Sequence, residues 1–197
     1  MRRVLIMLIA LALASLAGCG GGGNTNTGTT NTTNVNATRS ETNSTANTSS
    51  TASLSGDDRS FMTEAATGGM AEVELGRLAA EKAQSADVKK FGQRMVDDHS
   101  KANDELKQLA TKKGVTLPTD LTGEQKSEKD KLSKLSGAAF DKEYMSAMVE
   151  DHDKDVKAFQ DKAKDAKDAD LKALVTKTLP TLEEHQKMAK DIKGKQK

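Results

Sequence analysis

The heptapeptide MVDDHSK at residues 95–101 returns as MVEDHDK at 148–154, and the reading of these two stretches decides the fold. In each, Met and Val stand four and three residues before a histidine, so all three share one face of a helix. The pattern spreads outward from both copies. On a wheel centred on His99, residues Val88, Gly92, Met95, Val96, Ala102, Leu106 and Ala110 fall within about 60°. On one centred on His152, Ala138, Met145, Met148, Val149, Val156, Phe159 and Ala163 do the same. A weaker third echo, LEEHQK at 182–187, sets His185 among Leu171, Leu174, Leu182, Met188, Ala189 and Ile192. No strand-like alternation occurs over residues 57–197. The periodicity predicts long helices near 58–84, 86–113, 137–166 and 168–193, and the repeat points to two halves.

Punctuation residues agree. Ser85 and Asp168 stand at N-cap positions. Gly114 ends the second helix and Pro118 prevents its continuation. Thr122 with Gln125 forms a capping box that opens a shorter helix to about Ser136. Pro180 lies inside the last helix, where a kink is expected. The first and last helix pairs are joined by very short turns, whereas residues 114–136 separate the middle two. Short, long, short is the ferritin-like arrangement: a four-helix bundle with one long crossover, here containing an extra short helix. An up-down-up-down bundle carrying an insertion is the alternative.

Composition narrows the function classes. The 197 residues carry 30 basic and 29 acidic side chains, which is no electrostatic footprint for nucleic acid. A single cysteine excludes an internal disulfide and multi-cysteine metal sites. Aromatics at 3%, without Trp, offer no stacking platform. No phosphate loop, dinucleotide fingerprint or Ser–His–Asp signature is present, so no nucleotide or organic cofactor is expected.

The N-terminus reads as an address. Met1-Arg2-Arg3 precedes an apolar run, Val4 to Ala14, too short to span a bilayer but suited to a secretory signal. Leu16-Ala17-Gly18-Cys19 is similar to the bacterial lipoprotein cleavage box. That resemblance implies a signal peptide over 1–18, a lipid on Cys19 and membrane attachment through it. Gly20, where Asp would favour inner-membrane retention, leans towards the outer membrane, facing the periplasm, in a Gram-negative host. Residues 20–56 are Gly, Asn, Thr and Ser except at Val35, Ala37, Arg39, Glu41, Ala46, Ala52 and Leu54. Such a stretch cannot offset its ordering entropy. The expected domains are therefore a signal over 1–18, a lipidated Cys and disordered tether over 19–56 with an r.m.s. reach of about 35 Å, and a bundle over 57–197.

The polar residues of the bundle carry the functional reading. His99, His152 and His185 are the chain's three histidines, each mid-stripe on a buried face of a different helix. The remaining helix supplies Glu72, centred among Phe61, Ala65, Gly68, Gly69, Leu75, Gly76, Ala79 and Ala83. Gly68, Gly69 and Gly76 are small enough to let this helix approach its neighbours closely. Glu72 and His99 are equidistant from the turn at Gln84-Ser85-Ala86, and His152 and His185 from the turn at Lys167-Asp168-Ala169. Each hairpin thus holds its two polar residues at one level; whether the levels coincide depends on the crossover.

Buried polar groups must satisfy one another. One carboxylate and three imidazoles suit one transition-metal ion, Zn, Fe, Mn or Cu, and not Ca or Mg. Asp155, one turn after His152, and Asn103, one turn after His99, are placed to orient a ring. Di-iron bundles use Glu-x-x-His, but here the residues three before the histidines are Val96, Val149 and Leu182, so dinuclear chemistry is disfavoured. Met95, Met148 and Met188, each a helical turn from a histidine, could add thioethers for copper(I), although methionine at such spacing is usually core filler.

The stretches EVELGRLA (72–79), MVDDH (95–99), FDKEY (140–144), MVEDH (148–152) and TLPTLEEH (178–185) resemble a family of bacterial secreted and outer-membrane proteins of uncharacterised role. The resemblance implies a ferritin-like bundle and an envelope location, and implies no activity. Two functions are carried forward. In one, Glu72, His99, His152 and His185 hold a metal ion, with mononuclear redox chemistry as its enzymatic form. In the other, a non-catalytic envelope scaffold uses the same cluster as a structural polar network.

Overall fold

The structure is a computed structural model that describes residues 54–196. The signal segment, Cys19 and nearly all of the tether lie outside the described residues. Every regular element among those described is helical: α1 (Gly56–Lys82), α2 (Ala86–Lys113), α3 (Gly123–Ser133), α4 (Gly137–Asp165) and α5 (Ala169–Lys195). None is long and apolar enough to cross a membrane. Leu54, Ser55 and Gly56, read from composition as the end of the tether, take part in the bundle. Leu54 is buried beside Phe61 and Met62, and Ser55 caps α1 by accepting from the Asp58 N–H.

The expected helix ends recur with their causes. Gly114 closes α2 in the left-handed conformation, at φ 64°, where a side chain would be strained. Thr122 and Gln125 form the capping box of α3. Asp168 caps α5 through the Leu171 N–H. Helix α5 runs through Pro180. Ser85 occupies the N-cap position of α2 but makes no capping bond with its side chain. The carboxylate of Asp141, reaching over from α4, takes the N–H groups of Gln84 and Ser85 at 3.0 and 2.7 Å. A charged acceptor makes the stronger bond there.

An equivalent clasp closes the other end. Asp58 of α1 accepts from the N–H groups of Lys167 and Asp168 at 3.1 and 3.2 Å, and from Lys162 Nζ at 3.3 Å. One displacement along the chain relates Asp58 to Asp141, Gln84 to Lys167 and Ser85 to Asp168. Each hairpin therefore lends a carboxylate to the turn of the other. These clasps put the start of α4 beside the α1–α2 turn and the start of α1 beside the α4–α5 turn. Residues 114–136 consequently travel the length of the bundle. Helix α1 packs on α2 and α4, and α5 packs on α4 and α2, so α2 and α4 are diagonal and run parallel. The repeat at 95–101 and 148–154 is thus carried by two helices facing each other across the core.

Close helix approach is concentrated at one crossing. A Cβ at Gly76 would stand 2.7 Å from the carbonyl oxygen of Gly92, and one at Gly92 would stand 2.7 Å from Cβ of Ala79. Gly68 differs from the sequence expectation, because a Cβ there would meet nothing within 4 Å. The core is split into two apolar clusters. One contains Leu75, Phe91, Phe140, Tyr144 and Met148; the other contains Phe61, Met62, Leu106, Leu171 and Val175. Burying each such side chain contributes about 1.5–3 kcal/mol. Between the clusters lies a polar layer.

Candidate metal centre

The layer consists of Glu72, His99, His152 and His185, none more than 5% exposed. The two hairpin levels coincide. Ring centroids lie 5.7 Å apart for His99 and His152, 5.2 Å for His99 and His185, and 5.5 Å for His152 and His185. Phe91 floors the layer, with its ring edge-on to both His152 and His185.

Each ring is held through one nitrogen. Nδ1 of His99 lies 2.9 Å from Oε2 of Glu72. Nδ1 of His152 lies 2.9 Å from the Met148 carbonyl oxygen, one turn back. Nε2 of His185 lies 2.8 Å from Oδ2 of Asp98. Each of these contacts requires the named nitrogen to donate. The other nitrogens, Nε2 of His99, Nε2 of His152 and Nδ1 of His185, are buried without a hydrogen-bond partner, as is Oε1 of Glu72. One nitrogen from each ring meets the other two within 4.8 Å, the one such grouping of possible metal ligands among the described residues. A tetrahedral set at nitrogen–metal distances of 2.0–2.1 Å has edges of about 3.4 Å, shorter than the 4.8 Å limit within which the three nitrogens lie.

Electrostatics separate the four groups. Burial pushes the Glu72 carboxyl up, but the imidazoles of His99 and His152 outweigh it and hold the group ionised. Burial would lower His99, yet the Glu72 carboxylate beside it raises it above the usual histidine value. Burial dominates at the other two rings, lowering His152 and taking His185 down to about 4. Without a metal the ionised Glu72 therefore favours the proton on His99, while burial favours the neutral form of the other two rings. Glu72 also approaches Nε2 of His152, with Oε1 at 3.4 Å.

The structure brings Glu72, His99, His152 and His185 together and adds Asp98, which the sequence did not single out. That residue lies off the apolar stripe of α2 and reaches His185 on α5. It is anchored by Nε of Arg94 at 3.1 Å, and Arg94 in turn holds Glu184 at 2.8 Å. Its signal was the acid immediately before each histidine in the DDH and EDH repeats. The orienting roles expected of Asp155 and Asn103 are not seen: neither makes a hydrogen bond to a ring. Asp155 instead faces a groove between α1, α3 and α4, and Asn103 fills the space beside Gly69 where a Cβ would stand. Met95 and Met148 are core residues of the apolar cluster next to the layer. Sδ of Met188 accepts from Arg94 at 3.5 Å.

Fold and layer together define a class: a helical bundle of two hairpins joined by a lengthwise crossover, with a histidine cluster at mid-height. Residues 43–192 match the family described as Domain of unknown function (DUF4142), and the chain belongs to that family. No curated protein matches it. Among solved structures it is similar to a DUF305 fragment from Deinococcus radiodurans, at 12% identity and a TM-score of 0.64, covering 72% of this chain and 97% of the other. A candidate secreted protein, DUF305, from Streptomyces coelicolor matches at 14% identity and TM-score 0.59, covering 68% and 90%. CopM in its Cu(I)-bound form matches at 17% and 0.57, covering 68% and 93%. These likenesses concern the fold.

Proposed function

We propose that the protein is an envelope lipoprotein whose bundle holds one transition-metal ion at His99, His152 and His185, with Oε1 of Glu72 completing the donor set. One observation carries this reading: three rings each bring a nitrogen within 4.8 Å of the other two, and each ring keeps one buried nitrogen without a partner while its other nitrogen is fixed. Buried ring nitrogens without partners carry a desolvation cost that a bound cation would relieve. Imidazole suits Zn, Cu and Fe, and neutral nitrogen donors favour Cu within the divalent series. Glu72, Asp98 and the Met148 carbonyl act as the outer partners that fix ring orientation. CopM, of similar fold, has been solved with Cu(I), Cu(II) and Ag, which makes copper the first ion to test, with Zn, Fe and Mn after it. The function read here is binding. The address at Leu16–Cys19 and the tether behind it support a lipid-anchored location outside the cytoplasm, at the outer membrane of a Gram-negative host. The near-zero net charge gives no support to a nucleic-acid partner.

The sole tyrosine, Tyr144, supplies a reporter: its ring lies 6.3 Å from Phe91, which also touches His152. Cu(II) added to the full chain in detergent should quench its emission with a one-to-one endpoint. Elemental analysis should find one equivalent bound, and the His99→Ala, His152→Ala double variant should lose it. Equal metal content in wild type and variant would overturn the reading.

A second reading rests on the Glu184–Arg94–Asp98–His185 chain, which ties α2 to α5 with no metal. In that reading the layer is the structural network of a scaffold. It predicts that the double variant loses thermal stability in chelator as much as in metal.

A further inference from the structure

A groove of about 700 Å³ opens between α1, α3 and α4. Its walls carry Glu64, Glu124, Glu128, Glu150, Asp151 and Asp155, against Lys131 and Lys154 as the cations lining it. Both lysines are engaged, Lys131 with Glu143 and Lys154 with Glu150. Glu128 and Asp155 are half-buried, and burial pushes their carboxyls up, to about 8 at Asp155, with Asp151 pushed up to about 7; Glu64 and Glu124 are exposed at the mouth, with no side-chain ion-pair or hydrogen-bond partner among the described residues. The floor reaches Glu72, whose 3%-exposed side chain keeps Oε1 unpartnered. Glu72, Asp155 and Gly68 also line a cavity of about 50 Å³ that borders His99. The groove and the histidine layer are therefore contiguous through Glu72 and Asp155. The open space at Gly68, where a Cβ would meet nothing within 4 Å, keeps that junction clear. The neighbouring groove, of about 640 Å³ and including Arg77, Asp104 and Lys129, is lined by none of the four layer residues.

Resting on the metal-binding reading above, we propose that the groove between α1, α3 and α4 is the access channel of the metal centre, in which Glu64 and Glu124 at the exposed mouth draw a hydrated cation from solution and the channel delivers it past Asp155 and Glu72 to the three imidazoles. A cleft lined by one sign of charge concentrates counter-ions and raises association rates by 10–10³-fold, an effect that salt suppresses. The carboxylates would act in transit. None is grouped tightly enough with others to trap the ion short of the rings. Helix α3 forms one wall. It buries one side chain, Leu132, and is held to α1 by Lys129 on Glu74 at 2.7 Å and by Lys82 on the Ser133 carbonyl, and to α4 by Lys131 on Glu143.

The test is stopped-flow binding of Cu(II) to the full chain, read by quenching of Tyr144 emission, at two ionic strengths. The expected result for Glu64→Gln and for Glu124→Gln is an association rate reduced about 3- to 10-fold each at low salt, with an equilibrium constant altered less than about 3-fold. High salt should bring the wild-type rate down to theirs. Asp104→Asn, in the neighbouring groove, should leave the rate unchanged. Glu64→Gln lies on the exposed face of the long helix α1, so it keeps the test sound should Glu124→Gln disturb the first turn of α3. Wild-type rates in both variants, with no salt dependence, would overturn the channel while leaving the metal site intact. An equal slowing by Asp104→Asn would reduce the effect to net charge and overturn it as well. Failure of the wild type to bind Cu(II) or Zn(II) at all would instead remove the metal-binding reading, and the channel with it.

Discussion

Nε2 of His185 donates to Oδ2 of Asp98 at 2.8 Å across the α2–α5 contact, and this bond leaves Nδ1 of the ring turned to the interior. Burial would raise the Asp98 carboxyl, but bonds from His185 and Arg94 hold it below its ordinary value, so it is an anion at neutral pH. An anionic acceptor makes the opposite nitrogen of the ring a better donor to a metal. Asp98→Asn keeps the shape and removes the charge. It should weaken Cu(II) binding about 10- to 100-fold, measured by Tyr144 quenching in competition with a chelator. Asp97→Asn, at an exposed residue paired with Gln93, should bind as wild type. Equal affinities in all three proteins would remove Asp98 from the centre.

Tyr144 presents a different balance. Its ring stacks on Phe140 at 5.7 Å with 10° between planes, yet its buried hydroxyl has no partner. An unsatisfied hydroxyl in an apolar site costs about 1–3 kcal/mol. Tyr144→Phe keeps the packing and deletes that group, so unfolding in urea should show unchanged stability or a gain of up to about 1 kcal/mol. A loss larger than that would reveal a partner for the hydroxyl, with nearby Glu72 the group to examine.

The four layer residues were legible because two local regularities locate them: helical period puts each on an apolar face, and distance from a tight turn puts each hairpin's pair at one height. The coincidence of the two heights was not legible. It is set by Asp58 and Asp141, which clasp turns far away in sequence, and by the crossover that returns the chain. Asp98 was hidden for a related reason. One residue before His99 it sits about 100° round the helix, and only the arrival of α5 gives that direction a meaning. Spacing alone made Asp155 and Asn103 neighbours of the rings, but side-chain direction sends the first to the groove and the second to Gly69. The signal and residues 19–53 lie outside the described residues, and the last three residues of the expected tether, Leu54 to Gly56, belong to the start of the bundle.

Glycine size makes a paired prediction on α1. Gly68 faces open space, so Gly68→Ala meets no obstacle and removes a poor helix former; it should stabilise by about 0.5–1 kcal/mol. At Gly76 the added carbon would stand 2.7 Å from a backbone oxygen of α2, which cannot swing aside as a side chain can. Gly76→Ala should therefore destabilise by about 1–3 kcal/mol. Thermal melts of the two variants should move in opposite directions, and a common direction would contradict the close approach of α1 and α2.

Asp58 ties the first turn of α1 to the α4–α5 turn and is 1% exposed. Burial alone would raise its carboxyl, but the N–H groups of Asp168 and Lys167, with Ser55 and Lys162, bring it below the ordinary 3.8. A carboxyl depressed by folding stabilises fully above its unfolded value, and that contribution drains as pH falls through the lower folded value. Acid unfolding should therefore steepen below about pH 4 in wild type. Asp58→Asn should lose about 1–3 kcal/mol at pH 7, because an amide offers one acceptor oxygen where two are used and leaves Lys162 with Asp165 alone. Between pH 5 and pH 3 its stability should fall less than that of the wild type. Parallel curves for the two proteins across that range would show that the clasp is not what holds the second turn.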